Sequence, residues 1–287
     1  MTIAHDTPVD VEPVDAAPID VKTLRLALVN DGYIVVRGAV PPSYCQAVLE
    51  AIGQELDIWV DDPASWERVS RELDQVPLWG HQSQWDIRQL PGLHALWSAV
   101  WGSQRLWVDR NSCRFTPPWQ PGLADALPMH WDVDPRDPDQ QWYQGIVALT
   151  GSVPGSGGFR CAPTVMHNRD RWPDPWPTTA DGTVYRPGPV AEDEIVDVPL
   201  GVGDLLVFDH HMPHGTARNV SNEPRAVFYM QMFPAGNAEQ AARNVASHLA
   251  RTAPPWWRRK PGHDRVEPSP AATLNAQGKR LLGIETW

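Results

Sequence analysis

The chain has 287 residues, with 24 Lys and Arg against 35 Asp and Glu and a formal net charge of −11. This length suits one domain with extensions, and it is sufficient to bury a substantial core. The acidic balance disfavours nucleic acid and anionic membranes as partners, so we expect a small-molecule partner.

The cysteines indicate a reducing compartment. Three of them lie far apart in the sequence without a CxxC pair, at Cys45, Cys113 and Cys161. This usage argues against a disulfide framework. The N-terminus lacks the basic and apolar regions of a signal peptide, and no apolar run reaches the roughly 18 residues of a membrane-spanning helix. We expect a cytoplasmic monomer or homodimer.

The first hundred residues predict a tail followed by helices. Residues 1–20 are acidic and proline-rich, which predicts disorder. Apolar spacing and turn residues then predict, in order, an amphipathic helix with Leu24 and Leu28, a strand over Tyr33–Arg37, a helix starting at Pro41–Ser43 and a short helix over Leu93–Val100.

From about residue 105 the pattern changes to short strands separated by Gly- and Pro-rich turns. The predicted strands are RLWVDRNSCRFTP, PMHWDVDP, QGIVALTGSV, GGFRCAP, EIVDVPL, DLLVFD and RAVFYMQMF. Residues 168–192 lack clear periodicity, which indicates a surface insertion or an active-site lid. Residues 236–287 form a predicted helical extension.

Helices followed by a run of strands favour an antiparallel β barrel or sandwich with helical decoration. The strands are not separated by regular helices, so a doubly wound sheet is disfavoured. We therefore expect one domain over 21–287, mainly β with flanking helices, with its β core at about 105–235.

The segment PMHWDVDP predicts part of a metal site. In an extended strand, His130 and Asp132 leave the same face, so an imidazole and a carboxylate can bind one ion. A third ligand has to come from elsewhere, and DHHMPHGT offers His210, His211 and His214. Two histidines and one carboxylate leave open positions on the ion, which is typical of a non-haem Fe(II) oxygenase.

A downstream arginine adds a second function to this site. Arg225 lies eleven residues after His214 and begins an apolar strand. Its guanidinium suits bidentate pairing with the distal carboxylate of a chelating 2-oxo acid. The hydroxyl of Thr216, on the same face as His214, can reach that carboxylate too. The spacing to Arg225 and the Gly-Thr after His214 favour His214 over His210 and His211 as the third ligand.

The order of these features resembles the phytanoyl-CoA dioxygenase-like family of Fe(II)/2-oxoglutarate oxygenases, over roughly residues 24–235. The matching features are DGYIVVRG, the HxD segment, GSGGFRCAPTVMH, and the block from Gly203-Asp204 to Arg225. The resemblance implies a double-stranded β-helix (jelly-roll) core, with Fe(II), 2-oxoglutarate and O₂ as cofactors and co-substrates.

Carried over residue by residue, the resemblance implies that His130, Asp132 and His214 hold the iron. It also implies that Arg225 binds the C5 carboxylate of 2-oxoglutarate, with Thr216 as a helper.

The resemblance also places Arg114, on the strand before the HxD segment, near a co-substrate contact. Arg160 and His167 lie near the expected pocket mouth, and together with His211 they are candidate substrate contacts. A structural or surface role is the alternative for all three. A Met-His pair stands where the family usually has Gly-Ser-His, and the 168–192 segment is long. These departures concern the substrate rather than the chemistry.

We therefore expect an Fe(II)/2-oxoglutarate-dependent dioxygenase that hydroxylates a C–H bond of a secondary metabolite or amino-acid derivative, releasing succinate and CO₂. Because Asp132 is a carboxylate rather than Ala or Gly, no coordination position is freed for a halide, and hydroxylation is favoured over halogenation. Desaturation and cyclisation would use the same ligands.

Two other functions stay open. A cupin-like metal protein with non-oxidative chemistry would usually gather three histidines and would not need Arg225. In a non-catalytic ligand-binding β-sandwich, the three predicted ligands would have no reason to converge.

Overall fold

A computed structural model describes residues 10–11, 20–69, 76–121, 126–132, 134, 142–168, 190–254 and 266–287. Its helices are α1 (Val21–Asn30), α2 (Pro42–Leu56), α3 (Gln82–Arg88), α4 (Pro91–Trp101), α5 (Pro163–His167), α6 (Ala238–Leu249) and α7 (Ala276–Leu282). Its strands are β1 (Asp10–Val11), β2 (Tyr33–Val36), β3 (Leu106–Val108), β4 (Cys113–Thr116), β5 (Tyr143–Ala148), β6 (Phe159–Cys161), β7 (Val196–Val198), β8 (Leu205–Asp209), β9 (His214–Thr216), β10 (Arg225–Tyr229) and β11 (Met232–Pro234).

The strands form two main sheets. The major sheet has six strands in the order β1-β2-β8-β5-β10-β4, and the minor sheet has three in the order β7-β6-β9. All neighbouring strands in both sheets are antiparallel except the short parallel pair β1–β2. The strands β11 and β3, which adjoin β10 and β4 in the chain, form a separate two-stranded antiparallel sheet.

The central strands of the major sheet are buried on both faces. In β8, Leu206 and Phe208 pack with Phe159 of β6, in a cluster that fills the space between the two sheets. Leu205 and Val207 alternate with them and pack into the larger cluster under the helices. The major sheet therefore has an inner face towards the minor sheet and an outer face covered by helices.

Local sequence explains where the covering helices begin and end. The Asp20 side chain accepts hydrogen bonds from two backbone N–H groups at the start of α1, and a proline at position 42 begins α2. Gly102 ends α4 in the left-handed region, with φ +67°. Leu24, Val48 and Trp97 from these three helices are fully buried in the outer cluster.

The predicted fold class is confirmed: the chain is mainly antiparallel β with flanking helices. The single strand predicted over RLWVDRNSCRFTP was wrong, because this segment is split into β3 and β4, which belong to different sheets. The break falls at Asp109, whose backbone N–H donates to the carbonyl of Gln231 and whose carboxylate accepts from the Gln231 amide. The same break divides RAVFYMQMF into β10 and β11, so the paired strands change sheet together.

The structure describes two residues of the N-terminal segment. Asp10 and Val11, within the segment predicted to be disordered, pair with Val35 and Val36 along the edge of β2. An exposed strand edge offers unpaired backbone groups, which explains how so short a segment can form a strand. The rest of 1–19, most of the 168–192 segment and residues 255–265 lie outside the described residues. No helix in the described part of the chain is long and apolar enough to cross a membrane.

Candidate metal centre

Two distant segments meet through their backbones at the site. His130 N–H donates to the His214 carbonyl at 2.9 Å, and His214 N–H donates to the His130 carbonyl at 3.0 Å. Of the strand predicted over PMHWDVDP, the described residues form only this isolated antiparallel bridge. It sets the two imidazole rings side by side, with centroids 4.5 Å apart.

The Asp132 carboxylate completes a group of three. Its Oδ1 lies 3.3 Å from His130 Nε2, and its Oδ2 lies 3.6 Å from His214 Nε2. One ligand atom from each of the three residues lies within 4.8 Å of the other two, a spacing that a single metal ion can bridge. Both histidines are buried, whereas the Asp132 side chain is 44% exposed. The group is therefore shielded from solvent on the side of the imidazoles and accessible to solvent on the side of the carboxylate.

Both imidazoles are oriented by carbonyl groups of the backbone. His130 Nδ1 lies 2.9 Å from the Pro128 carbonyl, and His214 Nδ1 lies 3.0 Å from the Met212 carbonyl. Because a carbonyl only accepts hydrogen bonds, each Nδ1 is the protonated ring nitrogen. Each Nε2 then presents its lone pair to the group, as metal-binding histidines require.

The carboxylate is ionised at neutral pH. Desolvation raises the pKa of Asp132, but the imidazoles of His130 and His214 beside it outweigh desolvation and hold this pKa well below its ordinary value. An ionised carboxylate beside two neutral imidazole nitrogens is a donor set that suits a divalent transition metal.

Trp131, between His130 and Asp132 in the sequence, faces away from them. It is fully buried and packs with Ala162 and Val165. Its Nε1 donates to the carbonyl of His211 at 2.8 Å, and so attaches the HxD segment to the turn before His214. The sequence did not reveal this hydrogen bond, because nothing in it indicated which carbonyl would face the indole.

Arg225 begins β10 and is buried, with 3% of its surface exposed. It lies two residues before Val227, which belongs to the cluster between the sheets, so both side chains leave the inner face. The Nε of Arg225 has no hydrogen-bond partner among the described residues. Burial lowers its pKa to about 10, with Tyr229 opposing this shift and Arg114 adding to it. A buried guanidinium of this kind is costly unless an anion binds it.

Of the other two predicted co-substrate contacts, Arg114 lies beside this arginine, and Thr216 lies on β9 of the minor sheet. Thr216 Oγ1 accepts a hydrogen bond from Leu127 N–H at 3.1 Å, and its O–H can donate at the same time. Arg114 is paired with Val227 across β4 and β10, which places its side chain on the same inner face. The two arginines are thus diagonal neighbours on adjacent strands.

The structure separates His214 from its two competitors for the ligand role. His210 Nδ1 accepts from the backbone N–H of Trp142 at 2.8 Å. The His211 ring is held by Asp209, with Nδ1 2.7 Å from its Oδ1. Only His214, of the three, lies in the group with His130 and Asp132, although Asp209, His210 and His211 form a second group of potential ligands.

Two predicted substrate contacts are engaged elsewhere. Arg160 lies on the outer face of the minor sheet, since its neighbours in β6 point inwards, and it forms ion pairs with Glu192 at 2.7 Å and Asp197 at 3.1 Å. His167 Nε2 lies 2.7 Å from the carbonyl of Asn30. A role for these residues or for His211 in substrate binding stays a prediction.

The family is shown by comparison with known proteins. The family model described as phytanoyl-CoA dioxygenase (PhyH) matches residues 28–227, so the chain belongs to this family, as the sequence motifs predicted. No curated protein matches the chain.

Solved structures share the fold at low sequence identity. A hypothetical protein, JW0805 from Escherichia coli, is 19% identical, with a TM-score of 0.65, over 96% of this chain and 85% of that one. The epimerase SnoN, solved in complex with Fe3+, alpha ketoglutarate and nogalamycin RO, is 17% identical, with a TM-score of 0.57, over 91% and 97% of the two chains. EvdO2 from Micromonospora carbonacea var. aurantiaca, complexed with 2-oxoglutarate, is 18% identical, with a TM-score of 0.53, over 77% and 94%.

Proposed function

We propose that this protein is an Fe(II)/2-oxoglutarate-dependent dioxygenase that hydroxylates a C–H bond of a small molecule. One observation supports it most strongly: the fold brings a His-Asp-His group together with a buried arginine whose Nε has no hydrogen-bond partner among the described residues. A metal-binding protein without a 2-oxo acid would need the first feature but not the second.

The three proposed iron ligands have the residue types and the protonation states that bind Fe(II). His130 and His214 offer bare Nε2 atoms, and Asp132 offers an ionised carboxylate. This set occupies one side of the ion and leaves the other side for exchangeable ligands. When bound, iron and 2-oxoglutarate together activate O₂ for attack on a C–H bond, with release of succinate and CO₂.

The co-substrate would be held at its far end by the inner face of the major sheet. Arg225 pairs with the distal carboxylate, and the Thr216 hydroxyl donates a further hydrogen bond to it. Arg114 supplies a second positive charge beside the first. Charge-assisted hydrogen bonds of this kind are stronger than neutral ones, and a bidentate pair also fixes orientation.

The proposed reaction is hydroxylation rather than halogenation or epimerisation. Asp132 keeps the carboxylate ligand that a halogenating site would lack, so hydroxylation is the proposed outcome. SnoN is described as an epimerase, and the mass of the product distinguishes the two reactions, because only hydroxylation adds an oxygen atom.

We propose a secondary metabolite or amino-acid derivative as substrate and a cytoplasmic monomer or homodimer as the working form.

The test is an anaerobic titration with Fe(II) followed by 2-oxoglutarate. We expect a weak visible charge-transfer band that appears only when both are present. A metal-loaded, folded protein that develops no band would refute the proposal. Screening succinate release across a compound library would then identify the substrate, with Asp132→Ala as the inactive control.

A further inference from the structure

The three proposed ligands are not held in the same way. The imidazoles of His130 and His214 are fixed by carbonyls in their own segments, at Pro128 and Met212. Asp132 is the exposed member of the group, with 44% of its side chain accessible. A carboxylate in this position can rotate, so its orientation needs a partner from elsewhere.

That partner is Gln144. Its amide Nε2 donates to Asp132 Oδ2 at 3.0 Å. Since a carboxylate without its proton only accepts hydrogen bonds, the amide must present its nitrogen to this oxygen. Oδ2 therefore already accepts one hydrogen bond and lies 3.6 Å from His214 Nε2, whereas Oδ1 lies closer to an imidazole nitrogen, at 3.3 Å from His130 Nε2.

The position of Gln144 in the fold makes it a rigid support. It lies on β5, the central strand between β8 and β10, and is paired with Phe208 of β8. The ring of Phe208 lies 4.8 Å from that of His214. Ile146 and Ala148, which alternate with Gln144 along β5, both pack in the cluster between the sheets. Gln144 thus reaches from the inner face of the major sheet to the ligand on the opposite segment.

A carboxylate can bind an ion through one oxygen or through both. A chelating 2-oxo acid would need two of the three positions left by the protein ligands and dioxygen would need the third, so binding through both carboxylate oxygens would take up a position that the proposed reaction uses. A hydrogen bond on one oxygen favours binding through the other.

We infer that Gln144 is a positioning residue that holds Asp132 as a one-oxygen ligand, through Oδ1, and thereby keeps the third position open. This inference depends on the proposed function, since it concerns how the proposed iron site is arranged. It assigns a role to a residue that contacts a ligand side chain rather than the ion.

The experiment compares Gln144→Met with the wild-type protein, using Co(II) as a redox-stable probe. Methionine keeps the length of the side chain and removes the N–H donors. Removing an outer partner of a metal ligand typically weakens metal binding by about 10–100-fold, so we expect a rise in the Co(II) Kd of at least about tenfold. We also expect weaker visible Co(II) absorption, since a second carboxylate oxygen raises the coordination number.

The matched control is Tyr143→Phe, the neighbouring position on the same strand. Tyr143 faces the other side of the sheet and contacts Trp101, with ring centroids 5.1 Å apart. This variant should keep the wild-type Kd and spectrum. If Gln144→Met proves to be unfolded by circular dichroism, Gln144→Asn, which keeps the amide but is too short to reach Asp132, takes its place with the same expected result.

The outcomes separate the two proposals. If the wild-type protein gives no charge-transfer band with Fe(II) and 2-oxoglutarate, the proposed function fails. If it gives the band, and the folded Gln144 variant binds Co(II) with the wild-type Kd and spectrum, the function stands and the role of Gln144 is overturned.

Discussion

The indole N–H of Trp131 donates to the backbone carbonyl of His211 at 2.8 Å, joining two segments that are 80 residues apart in the chain. The paired backbones of His130 and His214 join the same two segments a few residues away. Together, these contacts hold the two segments that carry the proposed ligands next to each other.

Trp131→Phe tests the indole contact. Phenylalanine keeps most of the buried packing but leaves the His211 carbonyl without this donor, so we expect a loss of about 1–3 kcal/mol in the free energy of unfolding. Urea denaturation of the metal-free protein measures it. Trp59→Phe, at a site that is 60% exposed, should change stability by less than about 0.5 kcal/mol. Equal effects of the two substitutions would contradict the assignment.

Arg225→Met tests the anion site. The buried guanidinium would lose its charge but keep most of its apolar stem, so Fe(II) binding should remain near the wild-type value. The Kd for 2-oxoglutarate should rise by about 100-fold, because a charged hydrogen-bonding group contributes roughly 1.5–3 kcal/mol. Titration calorimetry with each ligand measures both constants. Arg160→Met, on the outer face of the minor sheet, is the control and should leave both unchanged. Equal loss of iron and 2-oxoglutarate binding in Arg225→Met would count against the role proposed for it.

Asp204→Ala tests the turn that precedes β8. The buried carboxylate accepts from the backbone N–H groups of Gly38 and Gly201 and pairs with Arg37 at 2.7 Å. Removing it leaves these donors without their acceptor, and we expect a loss of about 2–4 kcal/mol in unfolding free energy. Glu192→Ala breaks an exposed ion pair instead and should cost less than about 1 kcal/mol. Thermal and urea unfolding of both variants would show whether this ranking holds.

His248 predicts a pH dependence of stability that is independent of the metal centre. Burial, together with Arg110 and Arg88, lowers its pKa to about 4. The unfolded chain takes up a proton at this histidine below about pH 6.5, whereas the folded chain does not until about pH 4. Stability is therefore lost as the pH falls through this window, by up to about 3 kcal/mol.

The measurement compares wild type with His248→Gln by urea denaturation from about pH 7 to pH 4. The glutamine cannot titrate, so its stability should fall less steeply, and the gap between the two proteins should shift by up to about 3 kcal/mol in favour of the variant. A gap that stays constant across the window would show that His248 does not take up a proton differently in the two states.

The sequence predicted the fold class and the family well, because both depend on local pattern. Turn residues and apolar runs located most helices and strands, although α3 and α5 were not predicted, and the HxD spacing placed two side chains on one face. The split of RLWVDRNSCRFTP was missed because its strand propensity continues through the break. The cause is the contact between Asp109 and Gln231, 122 residues apart, which no local pattern reveals.

In the candidate site, too, local residue patterns predict some features, and contacts between distant residues decide the others. His130, Asp132, His214 and Arg225 were found because their residue types and spacing suggest metal and carboxylate chemistry. Gln144 was missed, since a glutamine in a strand has no such signal and its importance comes from strand order alone. Arg160 was a reasonable candidate from sequence, but the alternation of β6 turned it outwards.

The partners that orient the two imidazoles have an evolutionary consequence. The acceptors at positions 128 and 212 are main-chain atoms, so a substitution there changes the side chain and leaves the acceptor in place. Asp132 is held by a side chain that a single codon change can replace. The three ligands are thus unequally open to mutation, and laboratory evolution of metal preference should find its accessible variation at position 144 rather than beside the histidines.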